Sequence, residues 1–123
     1  MNTRKYDLED RLIEFAVSII KLETLILKSR AGNTLAGQLM RSATSPALNY
    51  GEAQAAESRK DFIHKMKIIL KELRETSICM KLIEKGGLIS DLGILPVIMD
   101  EANQLISIFV KSIETAKKRL DEN

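Results

Sequence analysis

Histidine, cysteine and clustered carboxylates are the side chains from which a reactive site is usually built, and this chain has few of them. His64 is its only histidine and Cys79 its only cysteine. A structural zinc ion needs several Cys or His ligands, so no metal site is expected. The helical neighbours of Cys79 are Glu75, Thr76, Leu82 and Ile83. None of these activates a thiolate, and the expectation is a buried, inert thiol. His64 reads as a surface residue. Glu72, Glu75, Glu84 and Glu101 raise the idea of a di-metal carboxylate bundle, but that site requires Glu-x-x-His pairs projecting inward, and none is present. Gly86-Gly87 lacks the G-K-[ST] context of a phosphate loop, and no serine sits in a nucleophile elbow. No catalytic residue, metal or cofactor is assigned, and a non-enzymatic protein with no small-molecule substrate is expected.

Charge carries more information. The whole chain has 19 Lys+Arg against 17 Asp+Glu, a net +2, too small to imply a polyanionic partner. Its distribution is uneven. From Ser58 to Lys85 there are 8 bases and 4 acids, whereas residues 7–29 and 91–123 each hold two more acids than bases. Lys60, Lys67, Lys71 and Arg74 are spaced 7, 4 and 3 apart, which places them on one helix face able to neutralise phosphates. The plain alternative is a solvated face whose cations pair with acids on neighbouring helices. No aromatic residue shares that helix face with these bases, so stacking on single-stranded bases is not indicated.

The elements that carry these residues follow from hydrophobic period. Leu8, Leu12, Phe15, Ile19, Leu22 and Ile26 recur at alternating spacings of 4 and 3, a heptad-like stripe. With Asp7 as N-cap, the first helix is expected over about 7–29. Gly32 and Asn33 then suggest a break, and a second helix is expected over about 34–56. Ser58 and Asp61 form a capping-box-like signature for a third helix over 58–85, with Phe62, Met66, Ile69, Leu73, Thr76, Met80 and Ile83 inward. A fourth, over 94–121, carries Leu95, Met99, Ala102, Ile106, Phe109, Ile113, Ala116 and Leu120. Together they predict an all-α, antiparallel up-down-up-down four-helix bundle in a single domain spanning 1–123.

The stretch Arg41–Ala53 is the unusual part. Small residues recur at helical spacing around Pro46 and Gly51. Pro46 cannot donate to the carbonyl of residue 42 and crowds it, so a kink is expected in one bent helix, with two shorter helices as the competing reading. Gly51 costs roughly 1 kcal/mol in a helix and suggests room for a close partner. Apolar positions beyond the main stripes, Ile13, Ile20, Ile98 and Ile108, point to a second buried surface and hence self-association.

Aromatic residues are only 4%, so the core must be aliphatic, a composition that favours helices. One cysteine, a polar start and no apolar run of membrane length lead to an expected cytoplasmic location with no membrane partner.

Gln38-Leu39-x-Arg41-Ser42-Ala43-Thr44-Ser45, then Asn49, Gly51-Glu52-Ala53, Ser58, Asp61-Phe62, Lys71-Glu72 and Glu75-Thr76 resemble a bacterial four-helix-bundle family. Its members include proteins encoded by intervening sequences within large-subunit ribosomal RNA genes. The resemblance covers nearly the whole chain, with departures at Pro46 and Tyr50. It implies a four-helix bundle, a ring-like homopentamer and no enzyme activity. It also implies an association with RNA or a nucleic-acid-processing protein, since related accessory proteins of retroelements bind a reverse transcriptase and nucleic acid. By motif it singles out Arg41, Ser42, Asn49, Glu52, Lys71, Glu72 and Glu75. The resulting expectation is a homo-oligomeric bundle that meets RNA or a nucleoprotein through a repeated basic face, with a protein-interaction adaptor as the alternative.

Overall fold

The computed structural model describes residues 7–91 and 93–121. Four α-helices account for most of them: α1 Leu8–Glu23, α2 Arg30–Gln54, α3 Arg59–Lys85 and α4 Leu95–Asp121. No strand joins them among the described residues. The helices pack on one another as an all-α bundle, with α2 against α3 the most extensive pairing and α1 against α4 the sparsest.

Local chemistry starts three of the four helices. The side chains of Asp7, Ser29 and Ser58 each accept a hydrogen bond from the backbone N–H three residues on, at 3.2, 3.0 and 3.0 Å. Each satisfies one of the amides that a helix start leaves unpaired. At the other end of α3, Gly86 closes the last turn and Gly87 adopts φ 69°, a conformation that glycine takes without a Cβ clash.

The junction of α1 and α2 differs from the expected one. The first helix ends at Glu23, not near residue 29, and the second begins at Arg30, not residue 34. Thr24 caps α1, its hydroxyl donating to the Lys21 carbonyl at 2.8 Å. The chain then runs on to an isolated antiparallel bridge between Ile26 and Ile89, and the Leu27 N–H donates to the Leu88 carbonyl at 2.7 Å. Ile26 and Ile89 are both buried. Ile26 thus meets the apolar period of α1 while lying outside the helix. Gly32 is not a helix stop but part of the first turn of α2. A Cβ there would lie 1.9 Å from the Leu27 carbonyl oxygen, so only glycine fits.

The core is aliphatic, centred on Leu12, Ile19, Leu39, Leu73, Met80 and Leu105 with Phe109. Truncating one such residue to alanine costs about 2–5 kcal/mol. Tyr50 meets Phe109 edge-on, with ring centroids 6.0 Å apart. On α4 the expected line holds at Leu95, Ala102, Phe109, Ile113 and Ala116, all buried, and fails at three positions. Ile98 and Leu105 are buried, Met99 and Ile106 only half-buried, and Leu120 exposed. Ile98 is therefore core and not part of an outer surface.

α2 runs unbroken through Pro46, which is buried. Its inward side is small: Gly32, Ala36, Ser42, Ala43 and Ala53 are all buried. Small side chains let a neighbouring helix approach closely, which is why the small-residue stretch lies in the largest helix–helix contact. Gly51 is a correction. It is exposed, and an added Cβ would meet nothing within 4 Å, so it makes no close approach within the chain.

Candidate nucleic-acid interface

Helical period puts Lys60, Lys67, Lys71 and Arg74 on one side of α3, and all four are exposed. Among the described residues none of them forms an ion pair. The acids of α3 lie elsewhere. Glu72 and Glu75 face α2, where both pair with Arg41, the Glu72 contact at 3.4 Å. Lys65 approaches Glu52 at 3.7 Å and Asp61 at 3.9 Å. Bases and acids that alternate along the chain are thus sorted by the packing of α2. The Glu72 and Glu75 carboxylates are held at the α2–α3 seam, and the four cations of the stripe are left to solvent.

The motif residues fall mostly along that seam. Ser42 and Thr76 are both 0% exposed. Their hydroxyl oxygens are 2.8 Å apart, Thr76 Oγ1 is also 2.8 Å from the Glu72 carbonyl, and Ser42 Oγ is 3.4 Å from the Leu39 carbonyl. A buried hydroxyl without a partner costs about 1–3 kcal/mol, and this pair leaves neither unsatisfied. Asn49 donates to Ser45 Oγ at 2.8 Å within α2. Pairings run from Arg41 with Glu72 and Glu75 to Glu52 with Lys65, so positions rising along α2 meet positions falling along α3. Arg41, Ser42, Glu52, Glu72 and Glu75 therefore join two helices, and of the motif only Lys71 belongs to the exposed stripe.

The residues considered for other chemistry are scattered. His64 is exposed on α3 and Cys79 is buried. Burial first, and the Glu75 carboxylate second, push the Cys79 thiol above its ordinary value, while Arg41 opposes them. Among the described residues, no group of three or more His, Cys, Asp or Glu side chains is placed to hold a metal. No described helix is long and apolar enough to cross a membrane.

A depression of about 570 Å³ lies away from the stripe, between α1 and α4. Asp7, Asp10, Glu14 and Glu101 line it. Arg11 spans it, its Nε and Nη2 donating to Glu101 at 2.7 and 3.0 Å and Nη2 also to Gln104 at 2.9 Å. Its carboxylates repel a polyanion, so size alone does not make it a nucleic-acid site. Sequence reasoning missed a second feature, a groove between α3 and α4 rimmed by Arg59, Lys111 and Arg119. These residues are distant in the chain and only packing brings them together.

Two comparisons place this geometry among known proteins. A crystal structure of a protein of unknown function from the S23 ribosomal protein family of Bacteroides thetaiotaomicron is 28% identical and superposes with a TM-score of 0.79. The match covers 91% of this chain and 99% of that one. No functionally curated protein is measurably similar. The family model described as 23S rRNA-intervening sequence protein matches residues 4–115. By fold and by that match over most of its length, the chain belongs to the 23S rRNA-intervening sequence protein family.

Proposed function

We propose that this protein is a non-enzymatic, homo-oligomeric bundle that associates with RNA or a nucleoprotein through the exposed face of α3. The observation that carries the reading is the stripe Lys60, Lys67, Lys71 and Arg74, exposed and without an ion pair among the described residues. A cation already neutralised by a neighbouring carboxylate gains little from a phosphate. Unpaired surface cations release counterions from a polyanion on binding. The family's name supports ribosomal RNA as the polyanion.

Assembly would multiply a weak contact. Ile13, Val17 and Ile20, spaced 4 and 3 apart on α1, are 45%, 41% and 45% exposed. Such a line supports self-association, and a ring of copies, a pentamer on the family resemblance, repeats one basic face and gains avidity. The same line supports a second reading, an adaptor on which a helical protein partner docks.

Titration of a structured ribosomal RNA fragment at several salt concentrations tests the first reading. Affinity is expected to fall steeply with salt, and no binding at low salt overturns it. Light scattering behind size exclusion tests assembly: a stable monomer at micromolar concentration rules out the ring and leaves the α1 line to another partner.

A further inference from the structure

Phe62 lies at the seam of two adjoining depressions between α3 and α4, of about 290 and 400 Å³. Both also share Ala116 and Arg119. The floor is apolar, made of Phe62, Ala116 and Ile108, and the rim is cationic, made of Arg59, Arg119 and Lys111. Among the described residues no carboxylate lines either depression, in contrast to the acidic groove between α1 and α4. Phe62 is half-buried, packed against the core yet open to the groove.

The groove adjoins the basic stripe. Arg59 immediately precedes Lys60, the first cation of that stripe, and lies one helical step round from it toward α4. A chain of phosphates following Lys67 and Lys60 along α3 would reach Arg59 next. An aromatic ring set among cations is the arrangement that receives a nucleobase with its phosphates, the base lying on the ring and the charges on the rim. An acidic peptide without aromatic side chains satisfies the rim but has no flat ring for the floor.

We propose that the α3–α4 groove seats one unpaired nucleotide of a bound RNA, its base against Phe62 and Ile108 and its flanking phosphates against Arg59 and Lys111. The proposal rests on the RNA reading of the α3 face and extends it from phosphate contacts to a base contact.

The test compares two fluorescently tagged octamers of equal length and charge, one of uridine and one of abasic RNA backbone, by anisotropy at low salt. The wild-type protein is expected to bind the uridine octamer at least about fivefold more tightly. Phe62→Leu keeps an apolar side chain and removes the ring. It is expected to bring that ratio close to one while the affinity for the abasic octamer stays unchanged, with its fold checked by circular dichroism. Arg59→Gln with Lys111→Gln is expected to weaken both octamers by the same factor. Equal affinity of the wild-type protein for the two octamers overturns the nucleotide seat, and needs no variant. If that equal binding still falls with salt, the α3 stripe survives without the groove. If neither octamer nor structured RNA binds, both readings fall.

Discussion

Replacing Lys60, Lys67, Lys71 and Arg74 together by glutamine separates binding from folding more cleanly than any single change. Each cation that neutralises one phosphate of single-stranded RNA adds about 0.7 to the slope of log affinity against log salt, so four contribute about 2.8. Between about 50 and 200 mM salt that slope is about a fifty-fold fall in affinity for each protomer engaged. The quadruple variant is expected to lose this salt dependence and most of its affinity. Its fold should hardly change, because the four side chains are exposed and have no ion pair among the described residues. Surface substitutions of this kind stay within about 0.5 kcal/mol each. Arg41→Gln is the control. It removes the contacts to Glu72 and Glu75 across the α2–α3 seam, but the Arg41 side chain is 57% exposed. Solvent screening therefore limits the loss of stability to about 1 kcal/mol or less. Anisotropy over a salt series and urea unfolding at one fixed protein concentration read the two effects separately. If the quadruple variant keeps the wild-type slope, or Arg41→Gln lowers it as much, the division between binding stripe and structural seam is wrong.

Three further predictions concern the fold. Ser42→Ala and Thr76→Val are each expected to destabilise by about 1–2 kcal/mol, and the double variant by clearly less than their sum, because the second change removes a hydroxyl already deprived of its partner. Additive losses in urea unfolding would mean that the two hydroxyls do not bond. Gly51→Ala is expected to stabilise by roughly 0.5–1 kcal/mol, since its Cβ meets open space, while Gly32→Ala is expected to be strongly destabilising against the Leu27 carbonyl. A smaller assembly for Gly51→Ala on light scattering would instead place that glycine against a second copy. The Cys79 thiol ionises above its ordinary 9.0 in the fold, chiefly through burial. The unfolded chain therefore releases this proton first. The contribution is intact below the unfolded value and is lost as pH rises through the folded one. Cys79→Ala is expected to flatten the alkaline loss of stability, and identical alkaline profiles for variant and wild type would contradict the assignment.

The all-α fold was legible because apolar residues recur at spacings of 3 and 4 over four long segments, a period that strands cannot use. The α1–α2 junction was not legible. Ile26 continues that period, yet it leaves the helix to pair with Ile89, more than sixty residues on. Two inward positions of α4 were obscured for a related reason. Ile98 and Leu105 lie beside Met99 and Ile106 in two adjacent apolar lines, and only the position of neighbouring helices decides which line is buried. Gly51 shows the limit of composition: a helical glycine can mark a close approach or an open surface, and here it faces the open surface.

For the candidate site, spacing alone placed Lys60, Lys67, Lys71 and Arg74 on one face, because helical geometry converts intervals of 3, 4 and 7 into a line without help from other elements. It could not say whether Glu72 and Glu75 would neutralise them. That was decided when α2 packed on α3 and brought Arg41 to both carboxylates. Nor could it place Phe62 among cations. Ile108, Lys111 and Arg119 stand more than forty residues further along the chain and reach Phe62 only because α4 lies alongside α3. The sequence by itself determined the helices and the charge carried along each, which are local properties of backbone period and side-chain type. Tertiary structure alone decided which charges are cancelled and which surround an apolar floor, because those depend on distances between helices that no single helix encodes.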